Sequence, residues 1–445
     1  MSNQPDNPWH LTLTRSRLFR FLLTNRYVQP AVHVIMVTLF AWAIWTAFTG
    51  PQNPDTNFGS VAFFSLWWST VMLVSLVVLG RVWCYVCPMG AIVRFTQRFG
   101  LQRHFPMFTG PKATVFGISL SVLSITAITF LFARMPMYKL GMVFEPRLVG
   151  IYFLAFTALA VGVSLVFQRQ AFCRYVCPAS GVMSVTSKLS PVEIRQEEST
   201  GVQCATLEYQ SDYLSTERRC VSCMKCTTEQ PKADVGLRVR WPGAAAVRQK
   251  IALPDEALLV IVLWAVFPID HVLGGRVAEL IAMSEPWPSV LAYFVSVFAA
   301  IGAYSGATAL GSRWSGLEWE PSFTRFAYAY LPFSIMYMLG NHVVTNLMTE
   351  GGALVNTFFA GLGVPLNLPE ALASPSTVAA WEWFNATIWP WLGVLWGIAL
   401  VWYSATQISD SPGQAIRAIA PHVLLVCLST AWIIGVVTVP GFGGH

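Results

Sequence analysis

Charge is what this sequence has least of. Only 11% of its 445 residues are charged, against 55% that are hydrophobic, and the mean hydropathy is +0.54. A soluble core of this size cannot hide that much apolar surface, so the balance excludes an ordinary water-soluble domain and makes the bilayer the solvent. No Gly-rich phosphate cradle of the Walker or dinucleotide type and no Ser or Cys nucleophile motif is present. Nucleotide hydrolysis and binding of flavin or NAD are therefore not expected. The stretch 1–29 is polar, carries Arg15, Arg17, Arg20 and Arg26, and lacks an apolar run ending in a small-residue cleavage site. The first apolar segment is thus expected to stay as a helix anchored from the cytoplasm. The net charge of +6 does not imply nucleic acid, because Lys and Arg lie between apolar segments as a topology signal does.

What is abundant is long apolar sequence. A membrane span needs about 20 apolar residues, and nine stretches approach that length, beginning near Pro30, Val61, Thr114, Leu148, Glu256, Trp287, Phe326, Trp381 and Ile419. With the N-terminus in the cytoplasm, 24 Lys and Arg fall inside and 4 outside, the asymmetry of an N-in, C-out chain in a prokaryotic cytoplasmic (inner) membrane. The 18 Trp and 13 Tyr suit aromatic belts at the headgroups. The expected organisation is a cytoplasmic segment 1–29, a four-helix membrane region 30–168, a cytoplasmic insert 169–254 and a C-terminal membrane region of about five helices, 255–445. Residues 350–380 read as an outer-face loop or half-buried element.

Within that frame a motif repeats. Arg81-Val-Trp-Cys84-Tyr-Val-Cys87-Pro88-Met-Gly90 matches Ala171-Phe-Cys173-Arg-Tyr-Val-Cys177-Pro178-Ala-Ser-Gly181. Each copy follows a two-helix hairpin that returns to the cytoplasm, so both Cys pairs are expected at one membrane depth. Eight of the nine cysteines fall into Cys84/Cys87, Cys173/Cys177, and Cys204 with Cys220-x2-Cys223-x2-Cys226. Close Cys spacing lets one short turn wrap a cubane, and C-x2-C-x2-C with Cys-Pro is the ferredoxin signature. Eight thiolates suffice for two [4Fe–4S] clusters.

The Cys-Pro pairs after hairpins, followed by a ferredoxin-like segment, resemble the NapH/NosR/FixG-type polytopic membrane polyferredoxins over roughly residues 30–235. The resemblance implies an all-α integral membrane protein with a cytoplasmic iron–sulfur insert, passing electrons between the quinone pool or cytoplasmic donors and periplasmic reductases, or serving metalloenzyme maturation. The chain departs from the pattern in three ways. The first pair is C-x2-C-P where C-x3-C-P is usual, Gln230 stands where the run expects a fourth Cys before Pro231, and only one such run is present. Two ligand partitions stay open. One groups Cys84, Cys87, Cys173 and Cys177 for one cluster and Cys204, Cys220, Cys223 and Cys226 for the other. The second gives Cys177 or Cys87 to the Cys220 run, as two-cluster ferredoxins do.

Other readings compete with the clusters. Four thiolates also suit structural zinc, which would leave a transporter with a zinc-stabilised insert. An accessory factor that matures or activates a respiratory metalloenzyme is a further alternative. Disulfides are disfavoured in a reducing compartment, and Cys427, inside the last span, reads as an inert packing residue. His33 and His422 fall near the inner ends of their spans and His271 and His342 near the outer ends, the depth pattern of b-type haem ligands or of quinone sites. Arg81, Arg94, Arg98, Arg169 and Arg174 surround the Cys pairs, read first as positive-inside charges and second as a field favouring reduced clusters and an acidic redox partner.

Overall fold

The computed structural model describes residues 11–13, 16–103, 114–115, 118–119, 122–196, 220–223, 235–247, 254–270, 272 and 287–437. Helices dominate it. Five are long and apolar enough to cross a membrane: Val28–Thr49, Pro146–Val166, Trp287–Ser315, Pro375–Thr406 and Pro412–Val436. Each falls on one of the nine expected spans, and together they make the chain an all-α multi-pass membrane protein. Their outward residues are large and apolar, with Val34 68% exposed, Trp45 60%, Phe298 69% and Leu395 62%. Facing water, such rows would oppose folding; facing lipid tails they cost nothing.

The other four expected spans are helical but interrupted. The chain runs from an α turn at Phe58–Ser60 through a π stretch at Val61–Met72 to Leu73–Val78. The segment expected near Thr114 starts as a two-residue antiparallel ladder pairing Thr114 with Ser119, and its helix begins only at Val122 and carries Pro136. Pro254–Trp264 passes into a π turn holding Pro268, whose ring clashes with the preceding helical carbonyl and whose missing N–H breaks the ladder. The segment expected near Phe326 is divided among an α-helix at Trp319–Phe326, a 3₁₀ turn, Tyr330–Met338 and a π turn at Leu339–Thr345. Residues 350–380, expected as an outer-face loop or half-buried element, are helical to Gly361 and again from Pro375.

The chain divides into two compact units. The first, Met1–Ala41, Val74–Pro106 and Ala155–Arg248, holds every described cysteine except Cys427. Its small sheet places Val235–Val239 between Leu11–Thr12 and Val192–Gln196, all antiparallel, with Val192 opposite Val239. Arg240, just past the central strand, donates to the carbonyls of Ser187 (2.7 Å) and Ser190 (3.0 Å) and pairs with Glu193. Those bonds lock the sheet onto the end of the Pro178–Thr186 helix. A buried Arg with its donors satisfied in this way fixes one geometry, because any slip strands its charge.

The second unit, Trp42–Leu73, Met107–Leu154 and Gln249–His445, packs around Pro254–Trp264. Leu259, Val260 and Leu263 there are wholly buried. Its first-turn Glu256, favoured at a helix N-terminus by the macrodipole, accepts a hydrogen bond from the Tyr328 hydroxyl at 2.8 Å.

Candidate metal centre

The sequence repeat is a structural repeat. Cys87 (φ −60°, ψ 126°) and Cys177 (φ −62°, ψ 116°) take the same extended conformation, and each precedes a nine-residue helix with Pro at its first position, Pro88–Thr96 and Pro178–Thr186. Pro suits that position because its φ is already helical and its missing N–H would have had no partner. The unequal Cys spacing is absorbed in the turn before. Cys84 lies in an α turn, Trp83–Val86. Cys173 lies in a π turn, Phe172–Val176, closed by the Cys177 N–H on the Phe172 carbonyl at 2.8 Å. A π turn is an α turn with one residue added. The C-x2-C pair thus departs from C-x3-C by a local bulge, while the Cys-Pro geometry is kept.

The two copies meet. Cys87, Cys173, Cys177 and Cys223 share one apolar cluster with Met89, Val93 and Phe172. Cys84 lies in electrostatic range of Cys87, Cys173 and Cys177, and its sulfur is 3.5 Å from that of Met183. The third segment joins through Arg81, itself buried. Its guanidinium donates to the Ser180 carbonyl (2.8 Å), the Ser180 hydroxyl (3.0 Å) and the Cys220 carbonyl. In return the Ser222 hydroxyl donates to the Arg81 carbonyl at 2.8 Å. Ser222 has φ 47°, a left-handed turn that brings its N–H 3.4 Å from the Cys220 sulfur. Gly80, before Arg81, has φ +57°, and a Cβ there would press on Ser190 at 3.2 Å. Only glycine enters this turn without strain.

Burial and nearby charge act against each other at these thiols. Burial and the neighbouring sulfurs push the Cys87 thiol up to about 11 and Cys177 up to about 12, while helix N-terminal N–H groups oppose the rise. The donors are Met89 and Gly90 at Cys87, and Ala179 and Ser180 at Cys177. Burial also raises Cys84 against Arg81 and Arg94, and raises Cys173 most against Arg94. Two of the arginines read first as positive-inside charges therefore bear on the thiols. Arg174, between Cys173 and Cys177, is buried with its Nε and one Nη making no hydrogen bond, and Arg98 is exposed.

A donor set of buried thiols, helix N-termini and guanidinium charge fits an anionic iron–sulfur cluster, whose potential depends on N–H···S bonds and burial. Among the described residues, no three His, Cys, Asp or Glu side chains close on the position of a single ion. Cys204 and Cys226 lie outside the described residues, as does His271. Cys220 packs beside a second cluster formed by Leu23, Tyr85, Val192 and Leu237.

The remaining histidines separate. His33 Nε2 is 2.8 Å from the Tyr85 carbonyl, within the first Cys turn. His422 is wholly buried in the second unit, with Nδ1 3.1 Å from the Tyr330 hydroxyl and Nε2 3.4 Å from that of Thr308. Both His422 nitrogens thus lie within reach of hydroxyls. His342 is half-buried in the π turn at Leu339–Thr345. Sequence reasoning missed the joining roles of Arg81 and Ser222. The run Gly80-Arg81 directly before a Cys turn was the available signal.

Residues 61–106 and 149–192 each match the family model described as a 4Fe-4S binding domain. These segments hold Cys84, Cys87, Cys173 and Cys177. A curated protein of Escherichia coli (strain K12), named "Putative electron transport protein YccM", is 31% identical over 124 residues, 25% of this chain and 34% of that protein. The chain thus spans about a third of the relative's length. No solved structure matches it.

Proposed function

We propose that the chain is a membrane-bound iron–sulfur electron-transfer protein. It relays electrons between a redox partner on the cytoplasmic side and the quinone pool or a periplasmic respiratory enzyme. The observation that carries this reading is the meeting of two Cys-Pro turns, with Cys87 and Cys177 each at the N-terminus of a helix, inside segments that match a 4Fe-4S binding domain. A bound [4Fe–4S] cluster supplies a one-electron carrier; the protein sets its place and potential.

Cys84, Cys87, Cys173 and Cys177 would hold one cluster. Cys220 and Cys223, with Cys204 and Cys226, would supply a second. Arg81 positions all three cysteine segments, and Arg94 adds positive charge that favours a reduced, more negative centre. Nine spans with the N-terminus and clusters on the cytoplasmic side complete the proposed topology.

The test is an anaerobic redox titration followed by EPR. A relay requires one-electron centres that reduce and reoxidise reversibly within the purified protein. A protein with bound metal that no mild reductant can cycle would instead be structural, and the relay would be wrong.

A further inference from the structure

The first unit contains a cavity of about 620 Å³ beside the cysteine turns. Its polar wall is formed by Arg26, Gln29, His33, Arg94 and Arg98, and its apolar wall includes Leu23, Val34, Val37 and Ile92. Cys223 also lines it, and among the described residues no carboxylate does. The cavity lies along the first turns of the Val28–Thr49 helix, at one end of a membrane span, so its mouth is at the depth where lipid-soluble molecules present their polar heads.

Its hydrogen bonding is incomplete. His33 Nε2 is 2.8 Å from the Tyr85 carbonyl and 3.0 Å from Arg94 Nη2. One ring nitrogen cannot serve both, since the carbonyl needs it protonated and the guanidinium needs it bare. Gln29 Nε2 already donates to the same Tyr85 carbonyl at 3.3 Å. Arg94 also uses its Nε on the Gly90 carbonyl, at 3.0 Å. With His33 bonded to Tyr85, the Arg94 Nη2 donor lacks its partner and His33 Nδ1 is an acceptor. The wall therefore offers a donor, Arg94 Nη2, and an acceptor on the His33 ring, among positive charge and apolar side chains. A quinone carbonyl takes the donor, a quinol hydroxyl serves the acceptor, and the ring fills the apolar side.

The wall is also tied to the cysteines. Tyr85 lies between Cys84 and Cys87, and Arg94 acts electrostatically on Cys84, Cys87 and Cys173. We propose that this cavity binds the head of a membrane quinone or quinol, with Arg94 donating to its oxygen, His33 Nδ1 accepting from the hydroxyl of the quinol form, and Val34 and Val37 packing its ring. This rests on the proposed function for its purpose, but binding itself needs only the cavity.

The test uses a short-tailed azido-ubiquinone as photolabel on the full-length protein in lipid nanodiscs. Iron and labile sulfide are measured on the same samples. The label is expected on peptides covering 23–38 and 91–98, and decylubiquinone should compete for it. Val37→Trp, which fills the cavity, and His33→Ala, which removes a hydrogen-bonding group, should each lower labelling about ten-fold while iron and sulfide stay at wild-type levels. Labelling spread over the chain and unchanged in both variants overturns the site. So does displacement by cardiolipin but not by decylubiquinone, which would assign the cavity to an anionic lipid headgroup. Site-specific labelling of a protein without sulfide would uphold the site and sink the electron-transfer reading alone.

Discussion

Arg81 donates to both the carbonyl and the hydroxyl of Ser180, at 2.8 and 3.0 Å, across 99 residues of sequence. Ser180 is in the first turn of the helix that follows Cys177, and Arg81 begins the turn that presents Cys84. One guanidinium thus sets the spacing of two cysteine pairs, and its bond to the Cys220 carbonyl adds the third segment. Removing it leaves buried acceptors without their donor, each at a typical cost of about 1–3 kcal/mol.

Arg81→Leu is expected to release the second Cys turn from the first. Iron and sulfide per chain should fall to half of wild type or less, and thermal stability should drop with them. Arg81→Lys keeps the charge but cannot reach Ser180 and Cys220 together, so it should resemble the leucine variant. Wild-type iron in both variants would show that the cysteine turns hold their places without it.

Gly80→Ala is expected to destabilise the first unit by about 1–2 kcal/mol, because a Cβ is strained at positive φ. In this structure φ is +57° and Ser190 is 3.2 Å from the new atom. Thermal unfolding measured in detergent checks it; an unchanged midpoint would mean that the turn relaxes freely.

Cluster insertion should depend on pH in one direction. Burial holds the thiols of Cys87 and Cys177 at about 11 and about 12, so they are protonated at neutral pH and iron must displace their protons. Both folded values lie above the thiol's ordinary 9.0. The fold therefore keeps this contribution to stability below about pH 9 and loses it as pH rises through 11 to 12, while metal uptake strengthens as pH rises. Reconstitution yield should climb from pH 7 to pH 9. Arg94→Gln removes a charge that lowers the thiols of Cys84, Cys87 and Cys173, and it should move the curve to higher pH. A yield that is flat with pH would mean that the thiols are already ionised.

Much of this site was legible in the sequence, for physical reasons that differ by element. Cys-Pro is readable because Pro starts a helix wherever its φ and missing N–H are tolerated, and both copies do so. The five long spans were readable from length and apolarity alone. The breaks in the other four were not, because Pro136, Pro268 and the π turns alter the ladder without altering the hydropathy. The π turn between Cys173 and Cys177 was visible only as one extra residue, and sequence alone does not say whether that residue shifts the cysteine or is absorbed. Arg81 was hidden for another reason: a basic residue at a membrane edge has an ordinary topological explanation, and only its burial against Ser180 and Cys220 shows its use.

The central claim is that the paired Cys turns hold an iron–sulfur cluster, and metal and sulfide analysis of anaerobically purified protein tests it most directly. Wild-type protein should contain iron and acid-labile sulfide in equal amounts, with an EPR signal after dithionite reduction. Cys87→Ser and Cys177→Ser should each abolish the same part of that signal. Zinc in stoichiometric amount without labile sulfide would contradict the account.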